Sequence, residues 1–136
     1  MQIYFACSIT GGRKDEAVYQ TIVDTLLADG HVVPTAILAL PEVVALEQVS
    51  NAAAIYARDI AWIQESDVLV AEISTPSHGV GYEIGYALGL GKQVLCLHRA
   101  GERVSKMITG NPAPNLTVRA YSSPEEAVTL VRTFTH

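Results

Sequence analysis

Between residues 72 and 85 the chain reads EISTPSHGVGYEIG, a run that packs hydroxyls, glycines and carboxylates into one short stretch. Glu83 is the residue of interest there. A helix expected over Val80 to Leu90 puts it in the first turn, where the dipole and the free N–H groups favour an ionised carboxylate. An ionised carboxylate is what attack on an anomeric carbon requires. Taken singly, Glu83 is better read as an ordinary dipole-complementing residue.

A second carboxylate stands out by its position. In the helix expected over Ala52 to Glu65, residues Ala52, Ile55, Tyr56, Trp62 and Ile63 follow the spacing of an inward stripe, and Asp59 interrupts it. Asp59 should therefore face the core or a cleft at its edge. A carboxylate so placed needs a partner or a task, because burying it alone costs several kcal/mol. Arg58 is the nearest cation, but as the adjacent residue it should leave the helix in another direction. Two carboxylates beside one crevice, in unlike surroundings, form the usual pairing for glycosidic bond cleavage.

The third candidate is Cys7-Ser8-Ile9-Thr10-Gly11-Gly12-Arg13, which follows a short apolar run and enters a helix. Its glycines let the backbone approach a ligand, and the first N–H groups of the helix can hold an anion. The run matches neither a dinucleotide fingerprint nor a P-loop. A plain strand-to-helix turn capped by Ser or Thr explains it about as well.

These residues need a scaffold, and its elements are legible. Short β-branched runs alternate with segments of helical period, the pattern of an α/β fold with a parallel sheet covered on both faces. Strands are expected at Gln2 to Ala6, His31 to Val33, Asp67 to Glu72, Gln93 to Leu97 and Leu116 to Ala120. Helices are expected near Lys14 to Ala28, Ala52 to Glu65, Val80 to Leu90, Arg103 to Ile108 and Pro124 to Thr133. Gly30 and Gly91 suit left-handed positions after the first and third helices, and Ser122 or Ser123 suits the cap of the last. The segment from Pro34 to Ser50 reads either as a short helix or as a loop over the site. Right-handed crossovers favour a flavodoxin-like, doubly wound five-stranded sheet of order 2-1-3-4-5. In that order the loops after the first and third strands diverge, opening a crevice at the strands' carboxyl ends. Those loops carry Ser8 to Arg13 and Ser77 to Glu83.

Length and charge set bounds. The chain has 136 residues, a size that fits one domain. Hydrophobic residues make up 49% and charged residues 17%, so the surface is sparingly charged and an oligomer is expected. A net charge of -5 offers nothing to nucleic acid polymers or an anionic membrane, so a phosphate would have to be held by local groups. The N-terminus lacks the charged region of a signal peptide, and no stretch approaches the roughly 20 apolar residues of a membrane span. Cys7 and Cys96 sit in or beside apolar runs, as reduced thiols of a cytoplasmic protein would. The chemistry proposed calls for no cofactor and no metal.

The stretches YFACSITGGR (Tyr4 to Arg13), YARDIAWIQESDVLVAEISTPSHGVGYEIGYALGLGKQVLCLHR (Tyr56 to Arg99) and RVSKMI (Arg103 to Ile108) closely resemble the 2'-deoxynucleoside 5'-phosphate N-hydrolases, a branch of the nucleoside 2-deoxyribosyltransferase superfamily. The resemblance implies hydrolysis of the N-glycosidic bond of a nucleoside 5'-monophosphate. Glu83 would attack C1' of the sugar to give a glycosyl-enzyme, Asp59 would orient the sugar and assist proton transfer to the base, and Tyr4 would lie close to both. It further implies that Ser8, Ser77, the Gly79 backbone and Ser105 from a second subunit hold the phosphate, with Ile9, Thr10, Gly11, Gly12, Arg13 and Met107 also lining the substrate, in a homodimer. Cys7 and Thr10 depart from the glycine and arginine of the relatives' CGSIRGGR, adding a side chain near the ligand and removing a cation. The alternatives are a deoxyribosyltransferase acting on free nucleosides, a ribonucleotide N-glycosidase such as one acting on cytidine monophosphate, and a non-catalytic nucleotide-binding module. The PGGxGTxxE motif of cytokinin-activating phosphoribohydrolases is absent.

Overall fold

The structure, a computed structural model, describes residues 1–9, 15–39 and 51–136. Thr10 to Lys14, and Val43 to Leu46 of the expected short helix, lie outside the described residues. The elements run β1 (Ile3–Ala6), α1 (Glu16–Ala28), a 3-10 turn (Ala36–Ala39), α2 (Ala52–Glu65), β2 (Val68–Glu72), α3 (His78–Gly89), β3 (Gln93–Arg99), α4 (Lys106–Thr109), β4 (Leu116–Tyr121) and α5 (Pro124–Thr135).

All strand pairs are parallel, in the spatial order β1-β2-β3-β4. Ile3 pairs with Val68, Val68 with Gln93 and Val94 with Leu116. Parallel strands buried on both faces read as apolar runs, and IYFA does so throughout while VLVAE does so as far as Ala71.

Among the described residues the sheet has four strands rather than the five expected. His31 to Val33 contributes a single parallel bridge, Gln2 to Val32, on the open side of β1. Its brevity has a local cause. Gly30 turns the chain at φ 86 and Pro34, which has no N–H to give a ladder, follows three residues after His31.

Alternation along each strand divides the interior in two. Ile3, Phe5, Val70, Leu95 and Leu97 face α1 and α5, meeting Tyr19, Ile22, Leu26, Ala127 and Val131. Tyr4, Ala6, Leu69, Ala71 and Cys96 face the other way, onto Ile63 of α2 and Val80, Ile84 and Ala87 of α3. The period of two thus assigns Tyr4 to the same side as the helices that bear Asp59 and Glu83.

The helix starts are set by caps. Asn51 accepts from Ala54 N at 2.7 Å, Ser77 from Val80 N at 3.3 Å, Ser105 from Met107 N at 3.2 Å and Ser123 from Glu126 N at 3.1 Å. Ser123, not Ser122, is therefore the cap of α5. The Ser105 cap starts α4 at Lys106, three residues later than expected. The Ser77 cap starts α3 at His78, two residues earlier than expected, which removes Glu83 from the first turn. Gly91 adopts φ 78 just past α3, as a helix end requires.

Candidate active site

The carboxyl ends of β1 and β2 open into a crevice of about 460 Å³ roofed by the N-terminal half of α2. Ala6, Cys7 and Ile9 form one wall. Ala52, Ile55, Tyr56, Asp59 and Ile60 of α2 form the roof, and Ser77, Gly79, Val80, Tyr82 and Glu83 the other wall. The interrupted stripe of α2 is thus a cleft surface for most of its length. Ile63 is its sole buried member among the described residues, and Tyr56 is 54% exposed.

Tyr4 lies fully buried beneath the crevice, and its hydroxyl donates to Glu83 Oε2. Burial pushes the phenol well above the usual tyrosine range, and the negative charges of Glu83 and then Asp59 push it the same way. Tyr4 therefore stays protonated and remains a hydrogen-bond donor to Glu83. The dipole argument for Glu83 falls with the helix start: six residues past the Ser77 cap, it lies beyond the turn in which the dipole acts. Its partner is a tyrosine from the strand below, a contact no local rule could supply.

Asp59 lines the crevice with its side chain 20% exposed, and Arg58 Nε donates to its Oδ1 at 2.9 Å. This corrects the expectation that Arg58 points elsewhere. The long arginine stem bends back along the helix and is held with its guanidinium 4.8 Å from the Trp62 ring centroid. Asp59 thus has an ionic partner, and the case for its chemistry rests on where it stands, not on an unpaired charge.

Of the remaining expected residues, Ile9, Ser77 and Gly79 line the crevice. Ser8 is fully buried and is not part of its wall. Thr10, Gly11, Gly12 and Arg13 lie outside the described residues. Ser105 and Met107 line a neighbouring cavity of about 1010 Å³ that borders the crevice at Ser77, Val80 and Tyr82. Within one chain, then, Ser105 does not join Glu83.

Two features escaped the sequence reading. Tyr82, beside Glu83 in the motif, meets Tyr56 hydroxyl to hydroxyl at 3.3 Å across the crevice mouth and stacks on Tyr86 with centroids 6.4 Å apart. Behind the crevice lie two buried carboxylates, Glu72 and Asp15. Glu72 interrupts an apolar strand as Asp59 interrupts an apolar stripe, so the same criterion could have found it. Among the described residues no group of three metal-ligating side chains occurs, and no helix is long and apolar enough to cross a membrane.

The molecule is thus a parallel α/β domain with a Tyr-Glu-Asp constellation in a crevice at the carboxyl ends of two adjacent strands. It belongs to the nucleoside 2-deoxyribosyltransferase family, whose sequence model matches residues 3–123. The chain is 42% identical over 135 residues to a Danio rerio protein named 5-hydroxymethyl-dUMP N-hydrolase, covering 92% of this chain and 90% of that one. It is 41% identical over 138 residues to a Nematostella vectensis protein provisionally named 2'-deoxynucleoside 5'-phosphate N-hydrolase 1, covering 98% and 94%. The fold is similar to that of the CMP N-glycosidase of Clostridium botulinum, with a TM-score of 0.76 at 19% identity over 98% of this chain and 99% of the other.

Proposed function

We propose that this protein hydrolyses the N-glycosidic bond of 2'-deoxynucleoside 5'-monophosphates, giving free base and deoxyribose 5-phosphate. The observation that carries the reading is the convergence of Glu83, its donor Tyr4 and the cleft-facing Asp59 on one crevice. The names of the relatives agree with it.

In the first step the Glu83 carboxylate attacks C1' as the bond from C1' to the base nitrogen breaks. The departing base takes up a proton delivered through Asp59, which also orients the sugar. Water then attacks C1' of the glycosyl-enzyme as the bond from C1' to Glu83 breaks; its proton passes to Asp59, restoring that group, and the Glu83 carboxylate is regenerated. Tyr4 holds the nucleophile in one rotamer throughout. The mostly apolar walls, Ile9, Ile55, Ile60 and Val80, exclude bulk water from the reacting bond.

We assign the 5'-phosphate to hydroxyl and N–H donors at the start of α3, Ser77 and Gly79, which need no formal cation because helix N-termini attract anions. Ser8 belongs to the same reading. Ser105 would complete the phosphate site from a second subunit, because within one chain it faces the adjoining cavity. That makes the working unit a homodimer. Cys7 and Cys96, both buried, suit a cytoplasmic setting.

The test is a panel of deoxynucleoside and ribonucleoside monophosphates and free nucleosides, followed by chromatography of the released base. Base should appear from the deoxy monophosphates, Glu83→Ala should abolish release, and Asp59→Asn should lower turnover by roughly two orders of magnitude with the fold intact. Release only from free nucleosides, and only with an acceptor base present, would make the protein a transferase.

A further inference from the structure

Three segments supply the groups assigned above to the phosphate: the chain leaving β1 at Ser8, the loop from β2 to α3 at Ser77, and the connection from β3 to α4 at Ser105. None of these groups sits in a strand, so something must fix them relative to one another. The strands end before them.

A part-buried polar network ties the second of them to the entry of α1 and to the end of β3. Asp15, 3% exposed at the entry to α1, accepts from Arg99 Nη1 and, at 3.2 Å, from Thr75 Oγ1. Arg99, the last residue of β3, reaches with its other terminal nitrogen to Glu102 at 2.6 Å, three residues before Ser105. Thr75 is two residues before Ser77. Glu72, fully buried at the end of β2, accepts from Ser74 N at 2.7 Å, Ser74 Oγ at 2.8 Å and the Tyr121 hydroxyl. The Ser74 hydroxyl accepts in turn from Arg99 N at 2.8 Å. Residues 73 to 75 are thereby pinned one after another: Ile73 N to Leu97 O at 2.8 Å, Ser74 to Glu72, and Thr75 to Asp15.

We propose that Asp15 and Arg99, with Thr75 bonded to Asp15, are positioning residues of the phosphate subsite: they hold the loop that bears Ser77 and Gly79 without touching the substrate. The inference rests on the function proposed above. Its consequence is a division of labour. The scissile bond is served from β1, α2 and α3 by Tyr4, Asp59 and Glu83, none of which is bonded to this network by the contacts described. Loosening the clasp should weaken binding of the phosphate while leaving the chemical step nearly alone. A loss confined to binding is the signature of an interaction made equally in ground and transition states.

The test compares wild type with Asp15→Asn, Thr75→Val and the pair Arg99→Lys and Arg99→Met. KM and kcat are measured on the best-cleaved monophosphate, with the inhibition constant of deoxyribose 5-phosphate alongside. KM and the inhibition constant should rise together by about tenfold in Asp15→Asn and by a smaller factor in Thr75→Val, with kcat within about threefold of wild type. Arg99→Lys, which keeps a cation opposite Asp15, should retain more affinity than Arg99→Met. Constants within about twofold of wild type in folded Asp15→Asn and Thr75→Val, or a fall in kcat with KM unmoved, would overturn the proposal. If Asp15→Asn does not fold, Thr75→Val, which removes one hydroxyl from a side chain of the same shape, decides alone. A wild type that cleaves no monophosphate refutes the function and this inference together; cleavage with unmoved constants refutes the inference by itself.

Discussion

Replacing Tyr4 by Phe gives a quantitative test of the phenol's environment, because it leaves the ring's shape in place and deletes the proton that binds Glu83 Oε2. Burial, then the charges of Glu83 and Asp59, raise the folded phenol above its ordinary value of 10.0. The unfolded chain ionises Tyr4 near that ordinary value, whereas the folded chain keeps the proton. Above pH 10 the folded state therefore holds more protons, and stability falls as pH rises. Each such group contributes a slope of about 1.4 kcal/mol per pH unit. Below the unfolded value the contribution is fully present and flat. Tyr121 is raised too, by burial and by its bond to Glu72, and serves as the internal reference. Denaturant unfolding at steps from pH 8.5 to 11.5 should show the slope of Tyr4→Phe shallower than wild type, by about 0.7 kcal/mol per unit at pH 10 and approaching about 1.4 above about pH 11, with the two curves parallel below about pH 9. The same slope in both proteins would mean that Tyr4 ionises in the folded state, and its standing as a permanent donor to Glu83 would collapse.

Two further outcomes follow from the packing. Arg58→Met removes the ion pair with Asp59 and the contact with Trp62, and steady-state assays should show turnover lower by roughly tenfold. The melting temperature should barely move, since a pair exposed to this degree contributes about 0 to 1 kcal/mol; unchanged turnover would mean that Asp59 is held by other groups. Ile63→Ala empties the one fully buried position of α2, and urea unfolding should register a loss of about 2 to 5 kcal/mol. A loss under about 1 kcal/mol would show that α2 is held to the sheet elsewhere.

Helix existence was the most legible feature of the sequence, and caps explain where its bounds slipped. Periodicity located α2 to the residue, but for α3 the apolar repeat begins at Val80 while the Ser77 hydroxyl captures the Val80 N–H and starts the helix at His78. That two-residue difference overturned the dipole reading of Glu83 while leaving the residue at the crevice. The second expected strand failed for a similar local reason, the glycine and proline that bracket it.

The two carboxylates were visible because each sits in a conspicuous setting: Glu83 in a dense polar motif and Asp59 on an apolar stripe. Their company was not. Arg58 meets Asp59 only because the guanidinium folds over Trp62, and neighbours at successive helix positions ordinarily diverge. Thr75 and Arg99 are separated by 60 and 84 residues from Asp15, and nothing in their spacing announces a network.

By itself, then, the sequence determined the alternation of strands and helices, the polar loops after two of the strands, and Asp59 and Glu83 as candidates, while Tyr4 entered only through the family resemblance. Local propensity and hydrophobic period act over a few residues and are written directly into the chain. Apart from that resemblance, tertiary structure decided that Tyr4 rises from the sheet beneath Glu83. Its side is set by strand alternation, but its neighbour is set by the packing of α3 on that face, a contact across 79 residues. It also decided that Ser105 belongs to an adjoining cavity and that Asp15 reaches Arg99. Such pairings depend on register and packing summed over the whole sheet, and no window of sequence contains them.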